Sequence, residues 1–177
     1  MNKPIFFSHQ QDGMVLVIGL IFLVMLTIIG ITAMSSTAMT EKLTQNLRES
    51  STAFEAAESG LGNGESWIQA QSPLPTALST CTTTPCYVWK KDALGSFYQQ
   101  SLSWWQSNGI AFSGNLANVV TQPYYIIEQY GFVPYDLSPD TLSQGRGYYY
   151  YRITSRGTGS TATSQAVIQS IFTTQLY

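Results

Sequence analysis

The stretch MVLVIGLIFLVMLTIIGITAM, residues 14–34, carries no charge over 21 consecutive positions. Wound as an α-helix at ~1.5 Å per residue it is about 31 Å long, which matches the ~30 Å hydrocarbon core of a bilayer. It is apolar on every side, so it belongs in lipid or inside a helical assembly rather than on a half-wetted surface. A buried core helix is the competing reading, and the length and the lack of charge weigh against it. A cleaved secretory signal fits poorly too. The run exceeds the ~7–15 residues of an h-region, and no clear small-x-small site closes it.

Upstream, the polar segment MNKPIFFSHQQDG ends in Gly13 and meets the apolar run abruptly at Met14. Downstream, no proline occurs between Pro4 and Pro73, so nothing in that stretch forces a helix to break. Met39, Leu43, Leu47, Phe54, Ala57, Leu61 and Ile68 recur at spacings of three, four or seven, with Glu41, Lys42, Arg48, Glu49, Glu55 and Glu58 between them. That pattern predicts an amphipathic stalk over residues 35–70, continuous with the apolar helix, whose stripe packs against a head formed by residues 71–177. A coiled-coil dimer would use a similar stripe, although the stretch is barely four heptads long. Gly60, Gly62 and Gly64 each cost up to ~1 kcal/mol inside a helix and predict fraying or a bend there.

The head is long enough for one core. Residues 123–132 and 147–156 are rich in Tyr and Ile, and residues 165–174 carry Val167, Ile168, Ile171 and Phe172. Gly157 and Gly159 offer a turn between the last two, which predicts an antiparallel hairpin. Alternation puts Tyr149, Tyr151 and Ile153 on one face, expected to cover the stalk, and Tyr148, Tyr150 and Arg152 on the other. Exposed tyrosines on that second face would suit a partner surface, but ordinary strand composition explains them as well. Between stalk and strands, Phe97, Ser101, Trp104 and Trp105 fit one helical face. Core packing is their expected role, with a sugar-binding platform as the sharper alternative. The fold class is therefore α+β: a long N-terminal hydrophobic and amphipathic helix packed on a small antiparallel β-sheet head.

Only 10% of the 177 residues are Asp, Glu, Lys or Arg, against roughly 25% in an average soluble protein. The net charge is −2 and no Lys/Arg run exists, which leaves no electrostatic footprint for nucleic acid. Cys81 and Cys86, the two cysteines, have four residues between them. In an oxidising compartment they form a disulfide; in the cytosol they would stay free thiols. His9 is the sole histidine and lies in the polar segment before the helix. With that segment removed, histidine-based triads and histidine-ligated metals are excluded. The acids of the head are Asp92, Glu128, Asp136 and Asp140, whose spacing matches no known carboxylate pair. GLGNG at 60–64 has no lysine and no preceding strand, so it is not a phosphate loop. Catalytic residues, metal ligands and cofactors are all expected to be none.

Three segments carry a family resemblance: the leader ending at Gly13, the run LVIGLIFLVMLTIIGITAM, and the continuation MTEKLTQNLRESSTAFEAAESGL. Together they resemble the N-terminal region of PilX-type minor pilins of type IV pili. Residues 123–131, PYYIIEQYG, and YYRITSRGTGSTATSQAVIQSIF near the end are similar to the closing strands of that family. The likeness covers about the first 65 and the last 55 residues.

The resemblance implies a prepilin-type leader, residues 1–13, cut by a membrane peptidase between Gly13 and Met14, with the hydrophobic helix kept on the mature chain. Lys3 precedes the helix while Lys42 and Arg48 follow it, so positive charge does not settle orientation. The cysteines and the leader point to an extracytoplasmic head. It also implies a chain inserted in the inner membrane with its head in the periplasm, then assembled into an extracellular fibre. Its partners would be other minor pilins, the major pilin and a large tip adhesin, and its role would support adhesion and twitching motility. One departure stands out. Most pilins begin with phenylalanine and carry glutamate at the fifth mature residue, where this chain has Met14 and Ile18. A tip pseudopilin of type II secretion shows a similar loss and is the nearest rival; a permanently anchored periplasmic binding domain is the rival from another class.

Overall fold

The computed structural model describes residues 14–82 and 85–176. One helix, α1, runs unbroken over Met14–Gln69, through all three glycines at which fraying or a bend was expected. The chain divides into two compact units, Met1–Asn46 and Leu47–Tyr177, and α1 contributes to both. In the first unit every described residue is solvent-exposed. The hydroxyls there are satisfied within the helix: Thr27 donates to the Val24 carbonyl at 2.7 Å and Thr32 to that of Ile29 at 2.9 Å. Such back-bonding lets threonine enter an apolar phase without an unpaired donor.

The second unit is a five-stranded sheet with the last part of α1 on one face. Its strands are β1 (Val88–Lys90), β2 (Ile110–Ala111), β3 (Tyr124–Pro134), β4 (Gly147–Thr158) and β5 (Gln165–Leu176). Two short helices, α2 (Leu102–Asn108) and α3 (Pro139–Gln144), lie in the connections. The order is β1-β3-β4-β5, with β2 also on β3. The predicted hairpin is present: β4 and β5 pair antiparallel in unbroken register from Gly147↔Leu176 to Thr158↔Gln165. The sheet is mixed rather than wholly antiparallel, because β1 runs parallel to β3. A parallel neighbour needs a long crossover, and residues 91–123, with α2 and the loop after it, supply one.

Gly157 is not in the turn, as the sequence suggested, but inside β4, opposite Ala166. The reason is the helix. A Cβ on Gly157 would lie 2.9 Å from the Ala56 carbonyl carbon and closer still to the Ala57 nitrogen and the Ala53 oxygen. The buried face of α1 is correspondingly small-sided: Ala53, Ala56, Ala57, Gly60, Gly64 and Ile68. This shifts the stripe inferred from large apolar residues, for Leu43, Leu47 and Phe54 are exposed. Close backbone approach selected the small residues, and Leu and Phe flank the contact.

Packing on the helix side of the sheet joins Ile68, Val88, Tyr125, Ile127, Tyr151 and Ile153. Burying each Ile or Val contributes about 1.5–3 kcal/mol before entropy is counted. As the alternation predicts, Tyr151 and Ile153 face α1. The opposite side holds a second cluster, Cys86, Trp89, Phe97, Trp105 and Ile126. Helix α2 is shorter than expected. Ser101 is its N-cap, accepting from the Trp104 N–H at 3.2 Å, and Phe97 precedes it in a loop, its ring centroid 6.1 Å from that of each tryptophan.

Candidate functional site

The sequence points to four places for function: the processing junction, the apolar helix, the cysteine loop and the head's polar groups. Gly13 lies outside the described residues. Met14 and Ile18 are in the first turns of α1, both exposed. By length and composition α1 is able to cross a membrane, and its most apolar part has no cover within the protein.

Cys81 and Cys86 are joined as a disulfide. The bridge anchors a loop beside the aromatic cluster, with Cys86 buried and Tyr87 stacked on Trp67 of α1 at 4.9 Å and nearly parallel. The end of the helix, the cysteine loop and β1 thus form one connected block. Trp89 and Trp105 are buried and Trp104 half-buried, so the tryptophans build core rather than an open sugar platform.

The acids of the head do not gather into a carboxylate pair. Glu128 is fully buried and accepts from Arg152 Nε at 2.7 Å and from the Asp92 backbone N–H at 3.0 Å. Arg152 Nη2 also reaches Asp92 at 2.7 Å. The guanidinium is held well above its usual pKa, first by the hydrogen bond it donates to Glu128, with burial opposing. Its Cζ lies 5.4 Å from the Tyr130 ring, over which Lys91 Nζ also sits, 4.4 Å from the centroid. The network clamps β3, β4 and the turn after β1 together. Asp136 accepts from the Ser138 N–H at 2.8 Å, and Asp140 accepts from Gln144 Nε2 at 2.7 Å, so both serve local turns. No group of three His, Cys, Asp or Glu suited to a metal occurs among the described residues.

One contact went unread in the sequence. Glu49 of α1 accepts from the Ser160 and Thr161 hydroxyls and from the Thr161 N–H at 3.2 Å, fastening the β4–β5 turn to the helix. Those hydrogen bonds, that of Ser160 first, hold its carboxyl below the usual range. The partners are more than a hundred residues apart in the chain, and no local pattern joins them. Glu128 and Arg152, by contrast, stand directly opposite each other in the β3–β4 register, so aligning the hairpin would have found that pair.

What these features define is a subunit built to be held by its own helix: an exposed apolar rod in one unit, and a head sealed by internal ion pairs and a disulfide in the other. Two family models match. The PilX N-terminal model covers residues 12–61, and the model for the C-terminal part of the type IV pilus assembly protein PilX covers residues 71–174. The chain belongs to the PilX family of type IV pilus assembly proteins. No curated protein and no solved structure matches it. The family makes the chain a component of the pilus machinery, and the apolar helix fits membrane-anchored assembly.

Proposed function

We propose that this chain is a fibre-initiating minor pilin placed at or near the pilus tip. It enters the inner membrane through residues 14–34 with its head in the periplasm, loses residues 1–13 to a prepilin peptidase, and moves into the extracellular fibre on its hydrophobic helix. The observation that carries the placement is Ile18. In related subunits a glutamate at the fifth mature position is expected to meet the N-terminal ammonium of the subunit above. A carboxylate in hydrocarbon is costly unless paired. A subunit with nothing above it has no amine to meet, and isoleucine removes the cost.

In this role the head contacts other minor pilins, the major pilin and a large tip adhesin, and the assembled fibre supports adhesion and twitching motility. The internal pairing of Glu128, Asp92 and Arg152 supports a structural role for these charges. The loss of glutamate suits a tip pseudopilin of type II secretion equally well, while the family match favours the pilus. Labelling the protein on sheared pili tests the proposal. Label confined to one fibre end is the expected result; label spread evenly along the fibre would refute tip placement.

A further inference from the structure

On the side of the sheet away from α1, two side chains hold donors without acceptors. Ser155 and Gly157 of β4 lie against the helix, so alternation turns Thr154, Arg156 and Thr158 to the opposite side. Arg156 is only 6% exposed there. Its neighbours across the sheet are Tyr124 on β3 and Val167 on β5, both packed against the aromatic cluster that contains Trp105. Trp105 is fully buried, and its Nε1 is the one buried side-chain polar atom without a hydrogen-bond partner among the described residues.

The donors of Arg156 can be counted. A guanidinium carries five N–H groups. Gln165 Oε1 takes one from Nε at 3.3 Å and one from Nη2 at 3.1 Å. Both hydrogens of Nη1 and the second of Nη2, which form the end-on fork, have no acceptor among the described residues. Nη1 is not sealed in, so solvent reaches that fork. Arg152, four residues earlier on the same side, makes the contrast, for Glu128 and Asp92 both bond it. Among the described residues no carboxylate pairs with Arg156, and burial draws its pKa below the ordinary guanidinium value. A cation withdrawn from water without a counter-charge is costly, and an anion arriving at the fork relieves that cost.

We propose that the end-on fork of Arg156 is a binding site for a carboxylate. The planar fork matches the two oxygens of a carboxylate in a bidentate pair. Charge sets the valence of the ligand. The next cation along β4, Arg152, is about 13 Å away at ~3.3 Å per residue and is already neutralised. One positive charge therefore faces the ligand, and a monoanion balances it. A sulfate or phosphate dianion would leave a charge uncompensated in a site shielded from water. Two sources share the favoured chemistry: a free organic acid, and the Asp or Glu side chain of a neighbouring chain.

Thermal unfolding of the full chain in micelles tests this, with sodium acetate exchanged for sodium chloride at constant ionic strength. The melting temperature of the wild type should rise saturably, by about 5 °C at roughly ten times the half-saturating concentration. That of Arg156→Gln should not respond. In the arginine side-chain NMR spectrum of the wild type, the Arg156 Nε–Hε signal should move along the same curve while that of Arg152 stays, a readout that needs no variant to fold. Equal responses of wild type and variant, an Arg156 signal that does not move, or a larger gain from sulfate than from acetate in the wild type over the variant, overturns the proposal. Repeating the melt in native membrane discs, followed by protease resistance, separates the sources. A rise with acetate there identifies a free acid. Indifference to acetate in the discs, with the response returning on extraction into micelles, identifies the side chain of a neighbouring chain.

Discussion

Replacing Gly157 by alanine tests the packing of α1 on the sheet most sharply. The new methyl would lie 2.9 Å from the Ala56 carbonyl carbon, with the Ala57 nitrogen and Ala53 oxygen closer still. Ordinary contact begins at 3.4 Å, so α1 must withdraw by at least half an ångström at this point and further to clear the other two atoms. The obstacles are helix backbone and cannot rotate away. A gap of 0.5–1 Å forfeits about a quarter to a half of the dispersion energy across it, and overpacking of this kind costs roughly 1–3 kcal/mol or more. Taking about 3 kcal/mol, the melting temperature of a unit this size should fall by roughly 10 °C. Gly62→Ala is the matched control. Gly62 is exposed on the same helix with nothing within 4 Å of an added Cβ, so alanine there should stabilise by ~0.5–1 kcal/mol through helix propensity alone. Thermal unfolding of the full chain in micelles reads both. A Gly157→Ala variant that melts with the wild type, or a Gly62→Ala variant that melts well below it, would refute the reasoning.

Three further outcomes are expected. Arg152→Met leaves the fully buried Glu128 carboxylate without its cation, for a loss of about 3–5 kcal/mol, and adding Glu128→Gln should recover part of it in a double-mutant cycle; additive losses would mean the pair is not coupled. Reducing the Cys81–Cys86 bridge, which closes a short loop, should lower stability by about 2 kcal/mol, seen as a lower melting temperature with reductant and absent in a Cys81→Ser, Cys86→Ser variant. Burial pushes Tyr125 and Tyr151 up to about 12, so the folded state keeps both protons where the unfolded chain gives them up. Their stabilisation is intact below pH ~10 and lost as pH rises through ~12. The alkaline fall in stability over that window should shrink in a Tyr125→Phe, Tyr151→Phe variant.

The long helix and the β4–β5 hairpin were legible because each is written in a short-range period: unbroken apolarity for the first, alternating Tyr, Ile and Val for the second. The buried face of α1 was misjudged because periodicity weights large residues. Here Ala53, Ala57, Gly60 and Gly64 make the contact, with Leu47 and Phe54 outside it. Gly157 was read as a turn residue for the same reason: nothing local distinguishes a glycine that turns a chain from one that admits a helix backbone. Strand β1 is three residues, VWK, too short for an alternation to register, so the parallel pairing could not be anticipated. The ion-pair network was half legible: Glu128 and Arg152 were visible as charges in apolar strands, but their meeting depends on register, and Asp92 enters from a loop. Core building by the tryptophans was legible from aromatic residues that fit one helical face, whereas the Glu49 clasp needed the fold.

The central claim is that this PilX-family chain works as a processed fibre subunit, and its N-terminus tests that most directly. We would sequence the N-terminus of the membrane-extracted protein from cells with and without the prepilin peptidase. The account predicts a mature chain beginning at Met14 only when the peptidase is present. An intact leader in both would contradict it and leave a permanently anchored domain in its place.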